Sequence, residues 1–197
     1  MLFSGQSIAT ATVLPEPVDL AQVKAHCRID DDADDLYLLS LIATARASVE
    51  DFTGRALRTE TRKAFYPCWG ELILPRSPFV SLDHLKYYPA EGGSAVTVDP
   101  ATYYVVSTRE PARITLAYGK AWPVAALRPV DGIEAQFVCG YGSGAVPSRL
   151  LHAIKMLVSH WYSQREAVIV ANPAAVDSKE VTYAVQALIA EYVLRYV

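Results

Sequence analysis

A chain of 197 residues, 52% hydrophobic and 20% charged, has an ordinary globular composition and can bury a core as one domain or two small ones. Its formal net charge of -3 gives no basis for tight, sequence-independent binding to nucleic-acid phosphates. Cys27, Cys68 and Cys139 are widely separated and odd in number, which excludes a disulfide framework or a CxxC metal pattern and suits a reducing, cytoplasmic assembly environment.

The chain opens with "MLFSGQSIATATVLPEP", which lacks the basic region of a secretory signal and is expected to be an N-terminal extension over residues 1–16. No apolar run nears the roughly 20 residues of a membrane span, so no membrane segment is expected. "PVDLAQVKAHCRID" follows, with Asp19 placed to accept a hydrogen bond from an orphan N–H and Leu20, Val23 and Cys27 at helical spacing. A longer helix is predicted from "DDLYLLSLIATARASVEDFTG". Asp34 or Asp35 caps it, Leu38, Ile42, Ala45, Val49 and Phe52 form one apolar stripe, and Gly54 suits the left-handed position past its end.

From Thr59 to Cys139 the pattern changes to short β-rich runs broken by Pro and Gly. "TRKAFYP", "ELILP", "FVSLDHLKYYP", "SAVTVD", "TYYVVST", "RITLAYG" and "GIEAQFVCG" read as strands. After "GYGSGAVP" the helical period returns, with Pro147 in the first turn and Leu150, Ile154, Leu157, Val158 and Trp161 on one face. "KEVTYAVQALIAEYVLRYV" is predicted to be a last amphipathic helix running almost to the chain end, with Val181, Val185, Leu188, Ile189 and Tyr192 on one side. The expected fold class is α+β. A helical bundle from residues 17–56 and 145–197 carries a β-rich insertion, 59–140, between its second and third helices, as an antiparallel sheet or small barrel.

Chemical motifs are weak. Asp30, Asp32 and Asp34 have the alternation of a calcium loop, but Asp35 stands where its Gly should be and Leu41 where its bidentate Glu should be. Gly140, Gly142 and Gly144 lie between a strand and a helix without the GK[ST] of a phosphate loop or the GxGxxG spacing, and read as a flexible joint. His152 and His160 are eight residues apart, roughly 80° off one another's helical face, and no HExxH or GxSxG motif is present. The enzymatic alternative is a small metal- or ligand-binding domain with a pocket near His160 and Glu166. Against it, Trp161 extends the apolar stripe, and Tyr162, Arg165 and Glu166 are residue types at home at a core or subunit boundary.

The ordered blocks "VDLAQVKAHCRID", "LYLLSLIATARASVEDFTGRAL", "ILPRSPFVSLDHLKYY", "FVCGYG" and "VPSRLLHAIKMLVSHWYSQREAV" resemble the phage head–tail connector (adaptor) family, the head-completion proteins of long-tailed phages, prophages and gene transfer agents. The resemblance runs from about Pro17 to the end. It implies a virion structural protein with no catalysis and no cofactor, assembled in the bacterial cytoplasm into a ring, usually of twelve subunits, at the head–tail junction. Its implied partners are the portal protein above and a stopper or tail-completion protein below, with DNA passing through the ring without specific binding. In the family the C-terminal helix or tail commonly engages the portal. Carried onto this chain, that segment is Val181 to Val197, with Leu188, Tyr192, Leu194, Arg195, Tyr196 and Val197 as contact candidates. The mildly acidic balance suits such a channel, since few cations then clamp phosphates.

Overall fold

The computed structural model of the chain describes residues 2–4, 6–9, 14–164 and 177–195. They fall into two compact units, one drawn from Met1–Leu14, Gly54–Tyr141 and Leu194–Val197, the other from Pro15–Thr53 and Gly142–Val193.

The second unit is helical. In α1 (Leu20–Cys27) the Asp19 carboxylate accepts a hydrogen bond from the Gln22 N–H at 2.7 Å, and Arg28 closes the helix in the left-handed region at φ 57°. In α2 (Asp35–Thr53) Leu38, Ile42, Ala45 and Val49 are buried as their spacing predicts, but Phe52 remains 41% exposed. α3 (Ser148–Ser163) starts directly after Pro147 and buries Leu150, Ala153, Ile154 and Val158, mostly against α2 and α4 (Asp177–Ile189). The last helix is shorter than its sequence pattern suggests. It tightens into a 3₁₀ turn at Ala190–Tyr192, and Val193 is extended at φ -65° and ψ 123°. The physical reason lies one residue on. Leu194 is buried, and a Cβ built at Gly54 would lie 3.2 Å from its Cδ1. Seating that side chain requires the chain to leave the helical path.

The first unit is β. Its strands are β1 (Leu2–Ser4), β2 (Gln6–Ala9), β3 (Glu60–Tyr66), β4 (Glu71–Ile73), β5 (Phe79–Tyr87), β6 (Val96–Thr97), β7 (Tyr103–Val106), β8 (Arg113–Leu116) and β9 (Ile133–Cys139). They form two open sheets rather than a barrel, in the orders β1-β4-β8-β7 and β2-β3-β9-β5-β6. All pairs are antiparallel except β1 with β4, which is parallel. The expected N-terminal extension thus supplies an edge strand to each sheet. Alternate residues of β9, namely Ile133, Ala135, Phe137 and Cys139, point into a core shared with Leu72, Leu74 and Ile114 of the other sheet region. Tyr66 joins the sheets, its buried hydroxyl donating to the Ile73 carbonyl at 2.7 Å. Burial pushes the Tyr66 phenol pKa up, so the group stays a neutral donor.

The opposite face of β9 carries Glu134, a carboxylate only 4% exposed. Tyr88 Oη donates to its Oε2 at 2.7 Å, Lys63 Nζ lies 3.0 Å from Oε1, and His84 Nε2 lies 3.1 Å from Oε1. Burial alone would raise its pKa. The bonds from Tyr88, Lys63 and His84 outweigh that and hold it at about 2, against an ordinary value of 4.5. A carboxylate with a depressed folded-state pKa stabilises the fold above its unfolded value, and the contribution fades as pH falls toward the folded value.

Two stability predictions follow from this geometry. Unfolding midpoints of the native chain should fall as pH drops from about 4.5 toward 2, and Glu134→Gln should be less stable at pH 7 with a shallower acid decline. Superimposable acid profiles would rule out Glu134 as a contributor. Gly140 sits at φ +114°, and a Cβ there would fall 1.9 Å from the Arg58 carbonyl oxygen, whereas a Cβ at Gly142 meets nothing within 4 Å. Gly140→Ala should therefore lower the melting temperature by several degrees or prevent folding, roughly 2 kcal/mol or more, while Gly142→Ala should leave it nearly unchanged.

Candidate interaction surfaces

Several of the chemical candidates make local contacts within the fold. Lys24 Nζ reaches Asp32 Oδ1 and, at 2.9 Å, Asp35 Oδ1, so two carboxylates of the acidic run face a lysine. The hydrogen bond to Lys24 holds the Asp32 carboxyl below its usual range, and the bonds to Asp32 and Asp35 raise the lysine. Among the described residues no three His, Cys, Asp or Glu side chains are grouped to hold a metal. Gly140 lets β9 pass against the Arg58 backbone, and Gly144 takes φ +73° in the turn before α3. His26 of α1 meets His152 of α3 edge to face, ring centroids 5.7 Å apart. Desolvation, followed by the charges of His152 and Lys155, lowers the His26 pKa. His160 is half-buried near the end of α3, and its carbonyl accepts the Gln164 N–H at 3.0 Å. Its proposed partner Glu166 lies outside the described residues.

The aromatic pair on α3 divides its work. Tyr162 Oη donates to Asp34 Oδ2 at 2.7 Å, and its ring lies 6.3 Å from that of Tyr37, so this side chain ties the end of α3 to the start of α2. Trp161 instead lines an open groove of about 250 Å³ with Ser48, Val49 and Phe52 of α2, Leu157 of α3, and Val185, Gln186 and Ile189 of α4. Arg165 lies outside the described residues. Of the C-terminal candidates, Leu188 and Tyr192 are half-buried, Leu194 is buried on Gly54 and Arg195 is exposed. Tyr196 and Val197 lie outside the described residues.

One surface escaped the sequence analysis. Between β8 and β9 runs the stretch Ala117–Gly132, "AYGKAWPVAALRPVDG". Tyr118 is 100% exposed, Val124 98% and Val130 70%. The three lie six positions apart along one connection. The stretch is also long for a connection without regular structure, and such connections are commonly functional. The signal was present: an apolar run that Gly119, Pro123 and Pro129 bar from forming a regular strand or helix. Among the described residues no helix is long and apolar enough to cross a membrane.

Comparison with known proteins gives these surfaces a setting. Residues 17–75 match the phage gp6-like head–tail connector protein family. No curated protein matches the sequence. Solved structures share the fold, three of them as follows. One, described as the neck of an empty GTA particle computed with C6 symmetry, is 24% identical and superimposes with a TM-score of 0.76 over 98% of this chain and 97% of that chain. A second, from the virion of a native gene transfer agent (GTA) particle, is 25% identical with a TM-score of 0.76 over 97% and 96% of the two chains. A third, the neck of a native GTA particle computed with C12 symmetry, is 24% identical with a TM-score of 0.72 over 96% and 97%. The chain thus carries the sequence signature of the gp6-like head–tail connectors over residues 17–75 and shares, along nearly its whole length, the fold of chains from gene transfer agent particles.

Proposed function

We propose that this chain assembles as a ring beneath the portal protein at the head–tail junction, extends the DNA channel, and offers its far side to a stopper or tail-completion protein. It does so without catalysis. Assembly takes place in the bacterial cytoplasm and the finished ring stays in the particle. The observation that carries this reading is the fold match over 98% of the chain to a particle neck. Twelve subunits are the natural number, since a related neck was computed with C12 symmetry.

The physics is consistent with a ring. Head-to-tail contacts between identical subunits close when the rotation permits, and they need two different, complementary patches on every copy. A net charge of -3 lets DNA pass without a phosphate clamp. For portal contact the reading favours the C-terminal segment: Leu188, Tyr192 and Arg195, with Tyr196 and Val197 beyond the described residues. Leu194 serves by fixing where that segment leaves the protein, because its side chain is occupied at Gly54. For lateral contact it favours the end of α3, where Trp161 is only partly covered.

Removal of Arg195–Val197, which leaves the Leu194 anchor in place, should weaken binding to the neighbouring portal protein at least tenfold while the melting temperature stays put. Unchanged affinity would exclude the terminal residues from that contact. Tyr162→Phe should cost about 1 kcal/mol of stability through loss of the bond to Asp34 without altering ring formation seen by electron microscopy. Loss of rings at unchanged stability would move Tyr162 to the subunit boundary.

A further inference from the structure

We propose that His26 of α1 and His152 of α3 form a two-histidine site for a divalent transition-metal ion of the Zn²⁺ or Ni²⁺ kind, and that the ion staples α1 to α3. The inference is independent of the ring reading.

The two ligands come from different helices and meet at a suitable distance. α1 packs on α3 within the helical unit. The two imidazoles lie with centroids 5.7 Å apart and an angle of 86° between their planes. An imidazole nitrogen binds zinc at about 2.0–2.1 Å, so two rings that share one tetrahedral ion have centroids roughly 5 to 6 Å apart. The observed separation falls within that span. Both residues are exposed, so packing does not oppose the side-chain rotations that turn one nitrogen of each ring to a common point.

The backbones that carry the pair are fixed before an ion arrives. Val23 of α1 is at 0% exposure, and the Asp19 carboxylate caps the first turn. Lys24 ties α1 to Asp32 and Asp35 at the start of α2. On α3, Ala153 and Ile154, next to His152, are both at 0% exposure. A site carried on two packed helices loses little conformational freedom on binding.

Ligand type selects the ion. Imidazole nitrogens suit Zn²⁺, Ni²⁺ and Cu²⁺, whereas Mg²⁺ and Ca²⁺ take oxygen donors. Among the described residues no third His, Cys, Asp or Glu side chain completes a metal-binding group, so water fills the remaining positions. The Lys155 ammonium, one turn on from His152, is close enough to His26 to disfavour positive charge there. It opposes the cation and holds the affinity below that of a fully ligated centre.

Metal titration of the full chain tests the site. Cys27 and Cys68, the two thiols that are not buried, are replaced by Ser to remove rival ligands. The protein is stripped with chelator and titrated calorimetrically with ZnCl₂, NiCl₂ and MgCl₂. The expected result is one Zn²⁺ or Ni²⁺ per chain, no Mg²⁺, and a melting temperature raised by at least about 3 °C at about 1 mM Zn²⁺. His26→Gln and His152→Gln should each weaken binding at least tenfold and abolish that rise. Lys155→Gln should tighten binding severalfold, and His160→Gln, on the same helix, should change nothing. Should either histidine variant melt lower without metal, imidazole NMR of the parent chain decides: Zn²⁺ should shift the His26 and His152 ring signals together. Absence of binding up to about 1 mM Zn²⁺, binding that survives either histidine substitution, or Zn²⁺ shifts confined to one of the two rings would overturn the proposal.

Discussion

The pairing of β3 with β9 is the constraint on which the rest of the chain depends. Glu60 faces Cys139 and Tyr66 faces Ile133, joining residues about seventy positions apart in sequence. This contact brings both ends of the long β segment together. The junction is then sealed locally: the Tyr141 N–H donates to the Ala56 carbonyl at 3.3 Å, Thr59 Oγ1 donates to the Tyr141 carbonyl at 2.9 Å, and Arg55 Nη1 reaches Tyr141 Oη at 3.2 Å. Because the chain leaves and re-enters the β unit at adjacent points, Pro15–Thr53 and Gly142–Val193 can build one helical unit despite the interruption. Long-range pairing carries a loop-closure cost that must be met before its contacts form. The apolar side of β9 supplies the return, with Ile133, Ala135, Phe137 and Cys139 all at 0% exposure.

That arrangement suits a connector. The helical unit offers a groove, while the β unit offers a held, apolar loop together with Leu194 and Arg195. The polar clusters that do exist are satisfied from within. Glu134 is met by Tyr88, Lys63 and His84, and the acidic run around Asp32 by Lys24. The surface also carries exposed aromatic and aliphatic side chains, among them Tyr118, Val124 and Phe52, the material of protein–protein contact.

Much of the fold was legible in the sequence because its signals are local. The Asp19 cap, the Gly54 stop and the period of Leu38, Ile42, Ala45 and Val49 each depend on neighbours within a turn or two. The seven predicted β runs all correspond to strands, since alternation and Pro or Gly punctuation are equally local. What the sequence concealed depends on partners far away. Residues 2–9 read as an extension because two short edge strands carry almost no pattern until β3 and β4 are there to pair with them. The end of the last helix was misjudged because Leu194 answers to Gly54, 140 positions earlier, and not to helical periodicity. Tyr162, expected at a core or subunit boundary, meets Asp34 and Tyr37, partners that no local pattern announces. The loop between β8 and β9 drew no notice because apolar residues count as core unless their exposure is known.

The central claim is that this chain's apolar side chains exist to join copies and neighbours, and that the head–tail junction fails without them. Electron microscopy of particles from cells lacking only this gene tests it most directly. The account predicts heads without attached tails and with leaked or incompletely retained DNA, restored by the gene in trans. Particles with tails firmly mounted and genomes retained would contradict it.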